Sequence, residues 1–170
     1  MEQFKIPFFP ELGFDVPYVP TPHHVVREML KLAKAGRDDV LYDLGSGDGR
    51  VLIIAVEEFG VKKAVGIEIR RELVEISREE VKKRGLEGRV TIIHGNVLNV
   101  SFVEPTVVTM FLLPDLMEAI RRRLEKELPK NARVVSYEFP MASWKPTVVR
   151  RFEDAHSYHT LYLYVKGISF

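Results

Sequence analysis

The chain has 170 residues, 46% of them hydrophobic, and a formal net charge of +1 at pH 7. That length suits one domain with a sizeable core, and the near-neutral balance gives no bulk electrostatic reason to bind nucleic acid or an anionic membrane. Cysteine is absent, which excludes disulfides, thiolate catalysis and most structural zinc sites.

Residues 1–22 carry Pro7, Pro10, Pro17, Pro20 and Pro22 among Phe4, Phe8, Phe9, Phe14 and Tyr18. So many prolines prevent a regular helix, and the segment is expected to be an extended arm that buries its aromatics by wrapping the domain. Either it merely covers core, or its Tyr18–Pro22 end closes over a ligand as a flap. The start lacks the basic residues and smooth apolar run of a signal peptide, and no window reaches the ~18 apolar residues of a membrane span. A cytoplasmic, soluble protein is the expectation. Charged residues make up 29% and glutamine occurs once, at Gln3, a composition that leans toward a thermophilic source.

Thr21 before Pro22 reads as an N-cap with proline at the first helical position, followed by Val25, Val26, Met29, Leu30 and Ala33 at helical spacing and a stop at Gly36. A buried strand is expected over 39–44, a helix over 50–59, a strand over 64–69 and a helix over 71–84 with Leu73, Ile76 and Val81 inward. Val90–His94 reads as a third strand, leading into Gly95-Asn96-Val97. Thr106–Leu113 is almost wholly apolar, as a central strand covered on both faces would be. A helix from Pro114 to about Leu128, a turn at 129–131 and a fifth strand over 133–139 follow. Val148–Phe152 and Thr160–Val165 suit an antiparallel hairpin at the sheet edge. Strands alternating with helices imply a mostly parallel sheet, with ligands at the carboxyl ends of its strands. That places Asp43–Gly49, Glu68, Asn96 and Phe111–Leu113 on one rim.

Between the first strand and its helix, Gly45, Gly47 and Gly49 stand at alternate positions. Any tight strand-to-helix turn wants glycine for steric reasons, so the glycines alone decide little. Asp43 and Asp48 sharpen the reading, because carboxylates in such a loop suit a cationic or zwitterionic ligand rather than a pyrophosphate. Glu68, ending the second strand, is placed to accept a ribose diol. A nucleoside carrying positive charge instead of phosphate fits the combination, and S-adenosylmethionine is the obvious candidate.

Asp43-Leu44-Gly45-Ser46-Gly47-Asp48-Gly49 and the strand end at Glu68 resemble the first two motifs of class I S-adenosylmethionine-dependent methyltransferases. Tyr18-Val19-Pro20-Thr21-Pro22, Val107–Pro114 and Arg133-Val134-Val135-Ser136 resemble, more narrowly, the small archaeal broad-specificity protein lysine methyltransferases and their mitochondrial relatives. The resemblance implies an α/β fold: a single Rossmann-like domain over 1–170, with 1–22 as arm or lid and 23–170 as core. Its seven-stranded, mostly parallel sheet would have helices on both faces and an antiparallel strand in the C-terminal hairpin. Gly45, Gly47 and Gly49 would let the loop approach the methionine moiety, with Asp43 and Asp48 near its ammonium or ordered water. Glu68 would hold the ribose. Asn96, where many relatives have Asp, would accept the adenine amine, and Ile69 and Val97 would sandwich the ring. Thr21 and Tyr18 would cover the cofactor near its methyl.

The implied reaction is methyl transfer to lysine side chains of proteins, through an apolar channel drawn from Phe111, Leu112, Leu113, Tyr137, Phe139 and Trp144. Tyr18 is the expected polar group at the reacting nitrogen, Phe111 flanks it, and Leu112, Phe139 and Trp144 are the expected substrate contacts. Amino-methylation of RNA or DNA is the second enzyme reading. Against it, the turn Phe111-Leu112-Leu113-Pro114 lacks the Asn/Asp-Pro-Pro-aromatic pattern suited to a planar amine, and the basic clusters are interleaved with Glu. A module that binds the cofactor without turnover is a third reading, and a dinucleotide oxidoreductase a fourth. The five histidines show no metal-ligand spacing, so no metal is expected, although His156 and His159 stand in the tail connection near the substrate side. A monomer is expected.

Overall fold

A computed structural model describes residues 18–170, and ahead of them only the antiparallel pairing of two short strands, β1 (Phe8–Phe9) and β2 (Phe14–Asp15). The expected wrapping of the arm otherwise falls outside the described residues. The remaining elements run α1 (His23–Leu32), β3 (Val40–Leu44), α2 (Arg50–Phe59), β4 (Lys63–Glu68), α3 (Arg71–Lys83), β5 (Val90–His94), β6 (Val107–Met110), α4 (Pro114–Glu127), β7 (Arg133–Tyr137), β8 (Val148–Glu153) and β9 (Tyr158–Val165).

One seven-stranded sheet has the order β5-β4-β3-β6-β7-β9-β8. The first five strands are parallel, and β9 inserts antiparallel between β7 and β8. This is the mixed sheet expected from the alternating elements and the closing hairpin. The pleat sends alternate residues to opposite cores. Leu41, Val107 and Val135 face α1, α2 and α3. Tyr42, Leu44, Val108, Met110 and Val134 face α4 and the Met141–Trp144 loop. Helix α2 is buried almost all round, from Val51 to Val56, because α1 covers the side that the sheet does not.

The remaining differences from expectation are local. Helix α1 starts one turn position later than Thr21 would set it: Pro22 is the N-cap residue, and no side-chain hydrogen bond caps the helix. Ile76 is 54% exposed, while Val74 and Ser77 are buried beside Leu73 and Val81. Strand β6 ends at Met110 rather than Leu113, because Phe111 and Leu112 turn off the sheet to wall a cleft. Among the described residues, no helix is long and apolar enough to cross a membrane.

Candidate active site

A solvent-open cleft lies over the carboxyl ends of β3, β4 and β6, roofed by Tyr18, Val19, Pro20 and Thr21. Its floor is the glycine turn. Gly45 and Ser46 both donate their N–H groups to the Ile67 carbonyl, at 2.9 and 3.0 Å, which folds the loop back on the neighbouring strand. Such an approach needs an empty position on β4. Gly66 supplies it: a Cβ there would lie 2.6 Å from both Ser46 Cβ and Leu52 Cδ1. Gly47 has φ +57°, and an added Cβ would meet the Tyr18 ring at 2.9 Å. The roof therefore rests on the floor.

The carboxylates have distinct environments. Glu68 is 3% exposed, and its two oxygens accept the Gly47 and Arg70 backbone N–H groups, each at 2.8 Å. It lines the cleft with both oxygens engaged by backbone amides. Asp43 is buried under the loop, where Thr109 Oγ1 donates to it at 2.8 Å. Burial pushes the Asp43 carboxyl up to about 7; the threonine bond opposes this, and the charges of Glu68 and Asp48 add to it. Asp48 has the reverse balance: burial works against its ionisation, but the bonds and charge of Arg50 outweigh that and hold it below its ordinary value. Arg50 Nη2 meets Asp48 Oδ2 at 2.6 Å, and its Nη1 donates to the Thr21 carbonyl at 3.1 Å. Arg50, which the sequence reading passed over, thus ties the roof to the glycine turn. Tyr18 is half-buried, with the Arg70 guanidinium 5.9 Å from its ring centroid. Burial, with Asp48 adding, raises its phenol above the usual value, so it stays protonated at neutral pH.

The cleft gathers Tyr18, Thr21, Asp43, Gly45, Gly47, Asp48, Glu68, Ile69, Val97, Phe111 and Leu112 from the residues expected at the site. Gly49 lies behind it, capping α2 at φ +85° with its α-carbon against Ser77 of α3. Asn96 is also set back: its Oδ1 accepts the Leu98 N–H at 2.8 Å, and the wall is formed by Gly95 and Val97 on either side. Phe139 sits outside the wall, its ring parallel to Phe111 with centroids 6.4 Å apart. The turn at Glu138 (φ +69°) places it there. Trp144 is a correction. It is 5% exposed, absent from the cleft lining, stacked on Phe170 at 3.7 Å and with its indole N–H donated to Glu125, so it is core rather than a substrate contact.

Beside the cleft, Phe111 packs 4.5 Å from the Tyr137 ring. The Tyr137 hydroxyl and His159 Nδ1 are 2.6 Å apart, and His159 Nε2 and His24 Nε2 lie 2.5 and 2.8 Å from Asp154 Oδ2. Burial pushes the Tyr137 phenol up to about 12. No local pattern announces this grouping, because 130 positions separate His24 from Asp154.

The residues present fit a cationic nucleoside. Asp48 is paired with Arg50 and Glu68 is hydrogen-bonded at the cleft, a positive charge beside Asp43 would favour its ionised form with the proton released to solvent, and buried Ser46 Oγ has no hydrogen-bond partner among the described residues. The Gly45, Ser46 and Gly47 amides are already donated to Ile67 and Glu68, so among the described residues this turn does not offer them to a phosphate.

Known proteins agree with this geometry. The chain is 51% identical over 152 residues to a protein-lysine N-methyltransferase of Saccharolobus islandicus, covering 89% of this chain and 94% of that one. It is 35% identical to the mouse adenine nucleotide translocase lysine N-methyltransferase over 81% of this chain, and spans 59% of that longer protein. Among solved structures, a Salinibacter ruber RNA methyltransferase bound to S-adenosyl-L-homocysteine superposes with a TM-score of 0.79 at 39% identity, covering 86% of this chain and 93% of that one. Residues 43–148 match the family model of the ANTKMT methyltransferase domain, which begins at the very aspartate under the glycine turn. With its cleft, its mixed sheet and these relatives taken together, the chain belongs to the ANTKMT family of S-adenosylmethionine-dependent methyltransferases.

Proposed function

We propose that this protein methylates lysine side-chain amines of other proteins, using S-adenosylmethionine held in the cleft. The observation that carries the reading is an acid-floored, apolar-walled cleft on a chain 51% identical, almost end to end, to a protein-lysine N-methyltransferase. Glu68 would accept the ribose hydroxyls, Asp43 and Asp48 would face the α-ammonium, Arg50 would answer the carboxylate, and Ile69 and Val97 would flank the adenine. Thr21 and Tyr18 would close over the reacting end. When bound, the cofactor supplies an electrophilic methyl on a sulfonium.

The protein's own work is deprotonation, alignment and exclusion of water. A lysine of ordinary pKa near 10.4 costs about 4 to 5 kcal/mol to hold neutral at pH 7. Phe111, Leu112, Leu116 and Val19 line the cleft and offer little solvation to an ammonium, which lowers that cost. The Tyr18 hydroxyl oxygen would accept an N–H from the neutral amine, which leaves the nitrogen lone pair free and aimed at the methyl, and the lysine's own proton would leave to solvent before the amine enters. Tyr18→Phe should therefore reduce kcat several-fold while leaving cofactor affinity within about twofold; equal loss of both would make Tyr18 a packing residue.

The Salinibacter ruber relative favours an RNA substrate as the second reading. Opposing it, the turn leaving β6 is Phe111-Leu112-Leu113-Pro114, with no amide or carboxylate to hold an exocyclic amine. One experiment separates the readings. Incubation with methyl-labelled cofactor and mixed cell extract should label protein bands, and nuclease treatment should leave the label intact. Nuclease-sensitive label would establish the RNA reading instead, and tight cofactor binding with no label would leave a binding module. The protein is expected to act as a cytoplasmic monomer, which gel filtration at micromolar concentration checks.

A further inference from the structure

We propose that His24, Asp154 and His159 form a binding site for one divalent transition-metal ion of the zinc type, outside the cofactor cleft. Nε2 of each imidazole and Oδ2 of the carboxylate are the ligand atoms, and all three lie within 4.8 Å of one another. None of these residues lines the cleft.

The chemistry of the set is that of a metal centre rather than of a surface charge cluster. Two imidazoles and one carboxylate are a common protein ligand set for zinc, leaving one position for water. The fold holds two of the three ligands from behind. Asp154 Oδ1 accepts the His156 and Ser157 backbone N–H groups, both at 2.9 Å, so Oδ2 is the oxygen left to face the imidazoles. His159 is 3% exposed, and its Nδ1 lies 2.6 Å from the Tyr137 hydroxyl. That fixes the ring so that Nε2 points at the cluster, the arrangement in which a ligating imidazole donates its other N–H to an oxygen. His24 comes from the first turn of α1, and its side chain is 52% exposed, which gives an ion an entrance.

Tetrahedral zinc with bonds near 2.1 Å sets its ligand atoms roughly 3.3 Å apart, so the two contacts to Oδ2 must open by less than about 1 Å. Exposed His24 can open its own contact, while the shorter one, 2.5 Å from His159, opens by a small rotation of the Asp154 carboxylate. Each Nε2 binds the ion through its lone pair, so any proton it carries is released to solvent on binding; no oxidant or other reactant is involved. The ion would join the start of α1, which follows directly on the cleft's roof, to the β8–β9 hairpin. Its role would be a staple, not a catalytic centre. The inference stands on these residues whatever the methyl acceptor proves to be.

The test uses the full chain, free of any affinity tag and stripped by chelator. Titration with Co²⁺ should give a saturable site, one ion per chain, with the intense visible bands of four-coordinate cobalt, and Zn²⁺ should displace it. Zn²⁺ should also raise the thermal midpoint. His24→Ala, at an exposed position that leaves the fold intact, should weaken Co²⁺ binding at least about tenfold and abolish the Zn²⁺ shift; Tyr137→Phe should weaken binding about 10- to 100-fold by releasing the His159 ring. Absence of saturable binding, a spectrum typical of six-coordinate cobalt, or binding unchanged by His24→Ala would each overturn the proposal.

Discussion

Glu68 acts in two directions at once. Its carboxylate holds the Gly47 and Arg70 amides in place and faces the cleft where a ribose diol belongs. Glu68→Ala should weaken S-adenosylhomocysteine binding by about 1 to 3 kcal/mol, through loss of charge-assisted hydrogen bonds. Calorimetry checks this, and unchanged affinity would remove the ribose role. Asp43 makes the site sensitive to pH. In the empty protein its carboxyl titrates at about 7 against an unfolded value of 3.8, so the folded state binds the extra proton between these limits. Stability of the ligand-free protein should accordingly fall as pH rises from about 4 to 7. A cationic ligand favours the ionised form, so its affinity should climb with pH up to about 7 and then level off, with a proton released on binding below that point. Asp43→Asn should flatten the profile. A pH-independent affinity in the parent protein would take Asp43 out of the ligand's reach. Both acids were legible as strand-terminal carboxylates beside a glycine turn. Arg50 was not, because an arginine opening a helix has no distinguishing pattern until its partners, Asp48 and the Thr21 carbonyl, are folded against it. Asn96 was legible as a position but not as a conformation: a short polar side chain after a strand satisfies its own turn as readily as a ligand.

At the level of elements, the closeness of β3's turn to β4 depends on Gly66. Its role was hidden in sequence, since a glycine within an apolar strand is equally compatible with a bulge or mere tolerance. Gly66→Ala would drive a methyl into Ser46 and Leu52 and should destabilise the fold by about 1 to 3 kcal/mol, as overpacking does. It should also lower cofactor affinity, because the displaced atoms belong to the loop itself; thermal melts and calorimetry on one variant read both effects. Trp144 carries the opposite lesson. As the only tryptophan, in a loop just beyond a strand, it looked like a substrate contact. Its stacking partner, Phe170, lies 26 positions onward, and no periodicity links them. Trp144→Phe should cost about 1 kcal/mol of stability through the lost hydrogen bond to Glu125, and leave kcat/KM unchanged below the melting range. Strand β6 shows why apolar runs overstate strand length. Phe111 and Leu112 are apolar because they wall the cleft, not because the sheet continues.

For the molecule as a whole, element order and kind were readable because hydrophobic runs, capping glycines and prolines agreed at nearly every boundary, and helix 50–59 and strand 90–94 fell where their patterns ended. What could not be read was long-range assembly. The His24–Asp154–His159 grouping joins the first described helix to the last hairpin, and nothing local to either segment announces the other. Strand β9 has a related consequence in time. It lies between β7 and β8 in space, yet it follows both in the chain. While the polypeptide is being synthesised, β7 has a bare outer edge, and β8 has nothing to pair with, until Tyr158–Val165 has cleared the ribosome. The sheet is thus completed by the last of its described strands to be made, and a nascent chain halted just before it would leave the outer edge of β7 open.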